Sequence, residues 1–259
     1  MFKRLSQLWR LFATGLSFVL FGIGGLLIPL FIVPVILLFS ADEQTRYRRG
    51  KALIHHLFRF YITVMKSLGV LTYETHDLDK LKQAQLVLAN HPSLIDVVFL
   101  IALMPNANCV VKSALLKNPF TRGAVKAAGY IVNDESADDV IDAAKAAFKR
   151  GDALIVFPEG TRSVPGRPLK LKRGAANVAV RTQALVTPVL IYCEPVTLTK
   201  GQPWYKVPAS RPHFTIRVEA PISMAPYAAM DKPAVAARTL TRELSEFFNQ
   251  EIRLRERSA

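Results

Sequence analysis

From Leu11 to Ser40 the chain runs thirty residues, "LFATGLSFVLFGIGGLLIPLFIVPVILLFS", without a charged side chain. A stretch that long and that apolar is lipid-embedded sequence. Its apolar core exceeds that of a secretory signal peptide and no small-residue cleavage site follows, so it is expected to remain on the mature protein. As one straight helix it would measure about 45 Å, against about 30 Å of bilayer hydrocarbon, so it must bend, tilt or turn back. Pro29 and Pro34 each remove a helical hydrogen bond, and Gly22, Gly24 and Gly25 loosen the middle. Lys3, Arg4 and Arg10 precede the run, while Arg46, Arg48, Arg49 and Lys51 follow it, which draws both ends toward the cytoplasm. Those flanks favour a broken two-helix hairpin dipping into one leaflet over a single tilted span. The expected location is the inner (cytoplasmic) membrane, with the remaining domain facing the cytoplasm.

The other 229 or so positions carry enough apolar content for a core: 51% of the 259 residues are hydrophobic. A net charge of +14 and a pI near 10.0 call for an anionic partner, either nucleic acid or a phosphate-rich membrane face. The basic residues cluster beside the apolar run and no RNA or DNA motif occurs, so a membrane is expected and nucleic acid is not. Cys109 and Cys193 lie far apart and outside any CxxC spacing, which argues against a disulfide framework or zinc site and for two small core residues. Residues 51–69, "KALIHHLFRFYITVMKSLG", place Leu53, Leu57, Phe60, Val64 and Leu68 at helical spacing, as in an interfacial helix. His55 and His56 lie in it as solvated or interfacial histidines with no ligand partner nearby; no metal site is expected. The boundary is set near residue 70: 1–69 an anchor and interfacial helix, 70–259 a catalytic domain.

After Gly69, short apolar runs alternate with helical stretches, the pattern of an α/β domain. Strands are expected at 85–89, 107–111, 129–133, 153–157, 186–192 and 213–220. "SADDVIDAAKAAFKRG" opens on Ser136 with acidic residues and closes on Lys149, Arg150 and Gly151, a capped helix between two strands. Strand, helix, strand order implies parallel pairing, hence a mixed, largely parallel sheet flanked by helices, with the membrane-embedded helical anchor before it. The C-terminal "TLTRELSEFFNQEIRLRER" is an amphipathic packing helix. In such sheets ligands gather at the carboxyl ends of the strands, here Asn90-His91 and Pro158-Glu159-Gly160.

At the first of these ends, "LANHPSLID" admits two readings. Ser93 and Asp96 form a capping box with Asp in place of Glu, and Pro92 suits a first helical turn. Alternatively, a histidine just before a helix swings over the first turn, where Asp96 accepts from one ring nitrogen of His91 and leaves the other as a base. At the second end, "FPEGTRS" is either a β-turn around Pro158 and Gly160 with an exposed Glu159 and Arg162, or a phosphate clamp. The clamp would be made of backbone N–H groups near Gly160 and Thr161 with the Arg162 guanidinium. Arg167, Lys170, Lys172 and Arg173 follow.

NHPSLID at 90–96, FPEGTRS at 157–163, the following "LKLKRGAANVAVRTQALVTPVLI" and the basic, apolar N-terminus together resemble the glycerolipid acyltransferases typified by 1-acylglycerol-3-phosphate O-acyltransferase. The resemblance covers residues 85–195. It implies a membrane-bound O-acyltransferase moving a fatty acyl group from acyl-CoA or acyl-ACP (acyl carrier protein) to a hydroxyl of a lysophospholipid-like acceptor, in lipid biosynthesis, with no cofactor beyond the acyl donor. On that likeness His91 is the general base and Asp96 fixes its tautomer. Glu159, Gly160, Thr161 and Arg162 match the acceptor-binding block, with Arg162 on the phosphate, and Pro188 matches a structural block.

One departure stands out. Phosphatidic-acid-forming members often carry an Ile-Asp-Arg after a strand; this chain has "GYIVNDES", with Asn133 and Asp134 and no arginine. Lys112, after another strand, either supplies the charge or is a snorkelling structural lysine. The acceptor is therefore 1-acylglycerol-3-phosphate by default, or a specialised lipid such as an ornithine or polyene lipid. A hydrolase using Ser93 as nucleophile lacks a GxSxG elbow, and a noncatalytic lipid-binding protein is the remaining alternative.

Overall fold

The computed structural model describes residues 2–133 and 136–258, so Asp134 lies outside the described residues. The apolar run forms helix α1 (Phe2–Leu27), a π-helical segment (Ile28–Ile32) and helix α2 (Val33–Phe39). The backbone stays right-handed helical at both joins, Leu27 (φ −73, ψ −36) and Ile32 (φ −91, ψ −41), so the chain does not reverse within the run. Arg4–Phe39 is one helical rod, long and apolar enough to cross a membrane. Pro29 and Pro34 are absorbed by the wider π turn, in which Val33 N–H reaches back to Ile28 O.

The reversal comes later. Ser40 is extended (φ −102, ψ 118), and Asp42 caps helix α3 (Glu43–Ser67) by accepting from Thr45 N–H at 2.7 Å. Helix α3 returns beside the rod: Trp9 Nε1 donates to Leu68 O (2.9 Å), the Phe21 and Tyr61 rings sit 5.6 Å apart, and Arg49 donates to Phe39 O (2.5 Å). The expected hairpin break among the glycines is thus displaced to residues 40–42.

The glycines serve close packing rather than flexing. A methyl group at Gly25 would lie 2.3 Å from Phe120 O, and one at Gly50 would lie 2.1 Å from Ala127 O, both on helix α6 (Pro119–Ala128). The Leu53–Leu68 stripe is not the face that α3 buries against the rest of the protein. Gly50, Lys51, Ile54, His55, Ile62 and Met65 are its buried residues, whereas Phe60 is 68% exposed. His55, expected to be solvated, is buried and its Nδ1 bonds Ile101 O at 2.9 Å.

The remaining elements are β1 (Thr72–His76), β2 (Leu86–Ala89), α4 (Asp96–Leu103), β3 (Ala107–Val111), α5 (Ala114–Lys117), α6 (Pro119–Ala128), β4 (Ile131–Val132), α7 (Ala137–Lys149), β5 (Ala153–Val156), α8 (Arg173–Thr182), β6 (Val186–Glu194), β7 (His213–Val218), α9 (Ala225–Ala228) and α10 (Pro233–Ser258), with a 3-10 turn at Leu78–Gln83. The strands form one seven-stranded sheet in the order β1-β7-β6-β2-β5-β3-β4. All pairings are parallel except β6 with β7. The expected strands are present, though that at 129–133 shortens to two residues, and β1 adds an unexpected edge strand beside β7.

Alternation along the strands divides the core between the two faces. Val87, Ala89, Cys109, Ile155 and Ile191 pack with Ile54, Met65, Phe99 and Leu100 from α3 and α4. Leu86, Leu88, Leu154 and Leu190 pack with Ile141, Ala176, Leu240 and Phe248 from α7, α8 and α10. Helix α7 has its full capping box, with Ser136 and Asp139 bonding each other's backbone N–H groups. Cys109 and Cys193 are buried free thiols.

Because the Gly50 approach leaves no space for a side chain, Gly50→Val is expected to push α3 off α6 and cost about 1–3 kcal/mol or more, as overpacking does. Thermal unfolding of the purified variant in detergent should show a lower midpoint; an unchanged midpoint would mean that α3 is not seated as described.

Candidate active site

Strand β2 ends at Ala89, and Asn90 continues the pairing with β6 through its side chain. Its Nδ2 donates to Ile191 O and its Oδ1 accepts from Ile191 N–H, each at 2.8 Å. The amide thus imitates one more ladder pair with β6 while the main chain turns out of the sheet. This buried residue fixes where His91 emerges.

His91 Nδ1 lies 2.8 Å from Asp96 Oδ2. The same oxygen accepts from Ser93 N–H at 2.7 Å, so one buried carboxylate holds both the imidazole and the turn that carries it. Helix α4 begins at Asp96, not at Pro92, because residues 93–95 form a turn. Only half of the expected capping box exists: Ser93 Oγ is buried without a hydrogen-bond partner and does not reach Asp96 N–H. Burial pushes the Asp96 carboxyl up to about 6, opposed by the bonds to His91 and Ser93. The imidazole is stacked on Phe157 at 4.1 Å between ring centroids and 22° between planes. Its side chain is 17% exposed, and Nε2 carries no protein hydrogen bond among the described residues.

Strand β5 is the neighbour of β2, which brings the second loop alongside. Glu159 is buried, and its Oε1 accepts from His91 N–H (2.9 Å) and from Ser163 Oγ (2.8 Å). Ser163 N–H donates to His91 O at 2.7 Å. The two loops are therefore stitched in both directions around His91. Burial raises the Glu159 carboxyl pKa, and the bonds from Ser163 and His91 oppose the shift. Gly160 takes a left-handed backbone (φ +66), and its N–H donates to Phe157 O, so that donor is used inside the turn. Lys172 lies against this turn: a methyl group at Gly160 would come within 2.9 Å of its Nζ.

Arg162 reaches a third segment. Its Nη1 donates to Leu198 O (2.7 Å) and Thr199 O (3.0 Å), on the loop between β6 and β7, and Leu94 N–H also bonds Leu198 O (3.2 Å). Thr161 is exposed beside it. The structure thus unites His91, Asp96, Glu159, Gly160, Thr161 and Arg162 on one rim. Lys112 is not in contact with them: it is exposed after β3, one strand beyond β5. Asn90 marks a strand's carboxyl end in the sequence, but no role for its side chain, or for those of Phe157 and Ser163, follows from the sequence. Asn90 and Ser163 flank the recognised residues, which is the only local signal for such a role.

A family model described as Acyltransferase matches residues 72–192. The 1-acyl-sn-glycerol-3-phosphate acyltransferase of Pseudomonas aeruginosa is 30% identical over 196 residues, 73% of this chain and 70% of that protein. The Helicobacter pylori protein of the same name is 33% identical over 114 residues, 42% of this chain and 48% of its own. That of Cocos nucifera is 29% identical over 110 residues, 40% and 36% respectively. For the last two, this chain spans half or less of the relative's length. The crystal structure of the 1-acyl-sn-glycerophosphate acyltransferase PlsC of Thermotoga maritima shares the fold, with a TM-score of 0.70 over 97% of this chain and 98% of that one at 18% identity.

The raised Asp96 carboxyl has a consequence for stability. The folded state binds this proton more tightly than the unfolded chain, whose carboxyl titrates near 3.8. The stability it contributes is therefore full below about 3.8 and lost as pH rises through about 6. Asp96→Asn is expected to keep or raise the unfolding midpoint at pH 7.5 and to flatten its pH dependence between the two values. A clear loss of stability at pH 7.5 would show that the ionised carboxylate is net stabilising.

Proposed function

The chain belongs to the family of the 1-acyl-sn-glycerol-3-phosphate acyltransferases, and from that premise we propose that it transfers a fatty acyl group from a thioester donor, acyl-CoA or acyl-ACP, to the hydroxyl of a lysophospholipid at the cytoplasmic face of a membrane. The observation that carries the reading is the 2.8 Å contact of His91 Nδ1 with a buried Asp96, which turns Nε2 into the available base.

In this mechanism the acceptor hydroxyl gives its proton to His91 Nε2 as its oxygen bonds to the thioester carbon. Asp96 keeps the proton on Nδ1 and stabilises the imidazolium that forms. The tetrahedral oxyanion then collapses, the carbon–sulfur bond breaks, and the departing thiolate takes the proton back from Nε2. The thioester is already activated, so no acyl-enzyme is required. Glu159 acts by holding the His91 backbone and Ser163, while Thr161 and the remaining nitrogens of Arg162 meet the acceptor headgroup. The Lys172 ammonium next to Gly160 adds positive charge at the same place, and Lys112 adds to the field from the neighbouring strand end.

1-Acylglycerol-3-phosphate is the first acceptor to test. A specialised acceptor is the second, because no arginine follows β4, where Asn133 N–H bonds Val111 O, and one Arg162 nitrogen is committed to two carbonyls. Purified protein incubated with each donor and a panel of lysolipids, read by mass spectrometry, separates the two. His91→Ala is expected to lose about 10²-fold or more of the transfer rate, the usual contribution of a general base. Asp96→Asn should lose a similar factor without loss of fold, and Ser93→Ala should retain transfer. Retention of more than about a tenth of the rate by His91→Ala would remove His91 from the role.

A further inference from the structure

The loop between β6 and β7, residues 195–212, does more than hold Arg162. It lies across the first turns of α1: Gln7 donates to Val207 O (2.9 Å), and the buried Arg10 donates to Pro208 O (3.0 Å) and Ala209 O (2.6 Å). The Trp204 ring packs 3.3 Å from where a Gly15 methyl would sit and 5.9 Å from the Phe18 ring. Yet the tip of the loop faces outward, with Trp204 47% and Tyr205 61% exposed. An open cleft of about 390 Å³ at the junction is lined by Tyr205 and Val207 of the loop and by Arg4, Gln7, Leu8 and Leu11 of α1.

Three features specify what such a tip fits. Its aromatics adjoin apolar side chains of α1: Tyr205 shares the cleft with Leu11 and the exposed Leu8, and Trp204 lies against Gly15 and Phe18. The tip is flanked by exposed Lys200, Lys206 and Arg211, and no acidic residue occurs between Glu194 and Glu219. Trp and Tyr with an apolar body and a polar edge prefer the headgroup level of a bilayer, and nearby lysines add attraction to anionic lipid. A protein partner would account for the aromatics but not for the contact with a helix of membrane-spanning length.

We propose that the Trp204–Tyr205 tip is a second membrane-docking element, which inserts at the headgroup level of an anionic bilayer beside α1. It rests on the membrane reading given above. Its interest lies in the wiring: the same loop carries the Leu198 and Thr199 carbonyls that hold Arg162, so lipid contact at the tip and acceptor contact at the rim belong to one segment.

The chain has two tryptophans, Trp9 and Trp204, which makes the test direct. The full-length Trp9→Phe protein reports on Trp204 alone, and Trp204→Phe reports on Trp9 alone. In vesicles of phosphatidylglycerol and phosphatidylethanolamine, Trp204 emission should shift to the blue and lose intensity when the lipids carry brominated chains. Lys200→Glu with Lys206→Glu should weaken that quenching in these vesicles more than in phosphatidylcholine. Quenching of Trp9 without quenching of Trp204 would overturn the proposal, leave the anchor standing and point to a protein partner for the tip. Loss of both signals would overturn the membrane reading itself and this proposal with it.

Discussion

One carboxylate oxygen sets the geometry of the whole rim. Asp96 Oδ2 accepts from His91 Nδ1 and from Ser93 N–H, so the imidazole and the turn beneath it share a single buried acceptor. A carboxylate in that position is costly to ionise, and burial raises its pKa for that reason. In the proposed mechanism this environment would serve a general base, because a charge kept from solvent interacts more strongly with an imidazolium beside it.

Around that pair the sheet edge is closed by side chains that substitute for backbone. Asn90 continues the β2–β6 ladder, and Glu159 with Ser163 ties the neighbouring loop to the His91 main chain. Arg162 extends the ties to Leu198 and Thr199, whose loop rests on α1. The apolar rod and the rim are therefore tied to the same loop, Arg10 at one part of it and Arg162 at another.

Much of this was legible in the sequence where the information is local. The strand preceding His91, the five-residue reach to Asp96 and the capped helix at 137–149 depend on neighbours in the chain, and their patterns named them. What was missed is nonlocal. Strand β1, "TYETH", is polar and half exposed, and only its pairing with β7 makes it a strand. His55 looked solvated because its partner is a carbonyl forty-six residues away on α4. The glycines of the apolar run read as flexible because nothing in the run announces that α6 presses against Gly25. Arg162 read as a free phosphate ligand because the carbonyls it holds lie thirty-six and thirty-seven residues on.

The most direct test of the His91–Asp96 pairing is the ring-nitrogen NMR spectrum of ¹⁵N-histidine-labelled protein in detergent, with His91 assigned by the loss of its signals in His91→Gln. We expect the ring proton on Nδ1, facing Asp96, with Nε2 bare and shifted as an acceptor, and Asp96→Asn should move the pattern. A proton found on Nε2 in the unaltered protein, with Nδ1 bare, would contradict the base on which the whole mechanism turns.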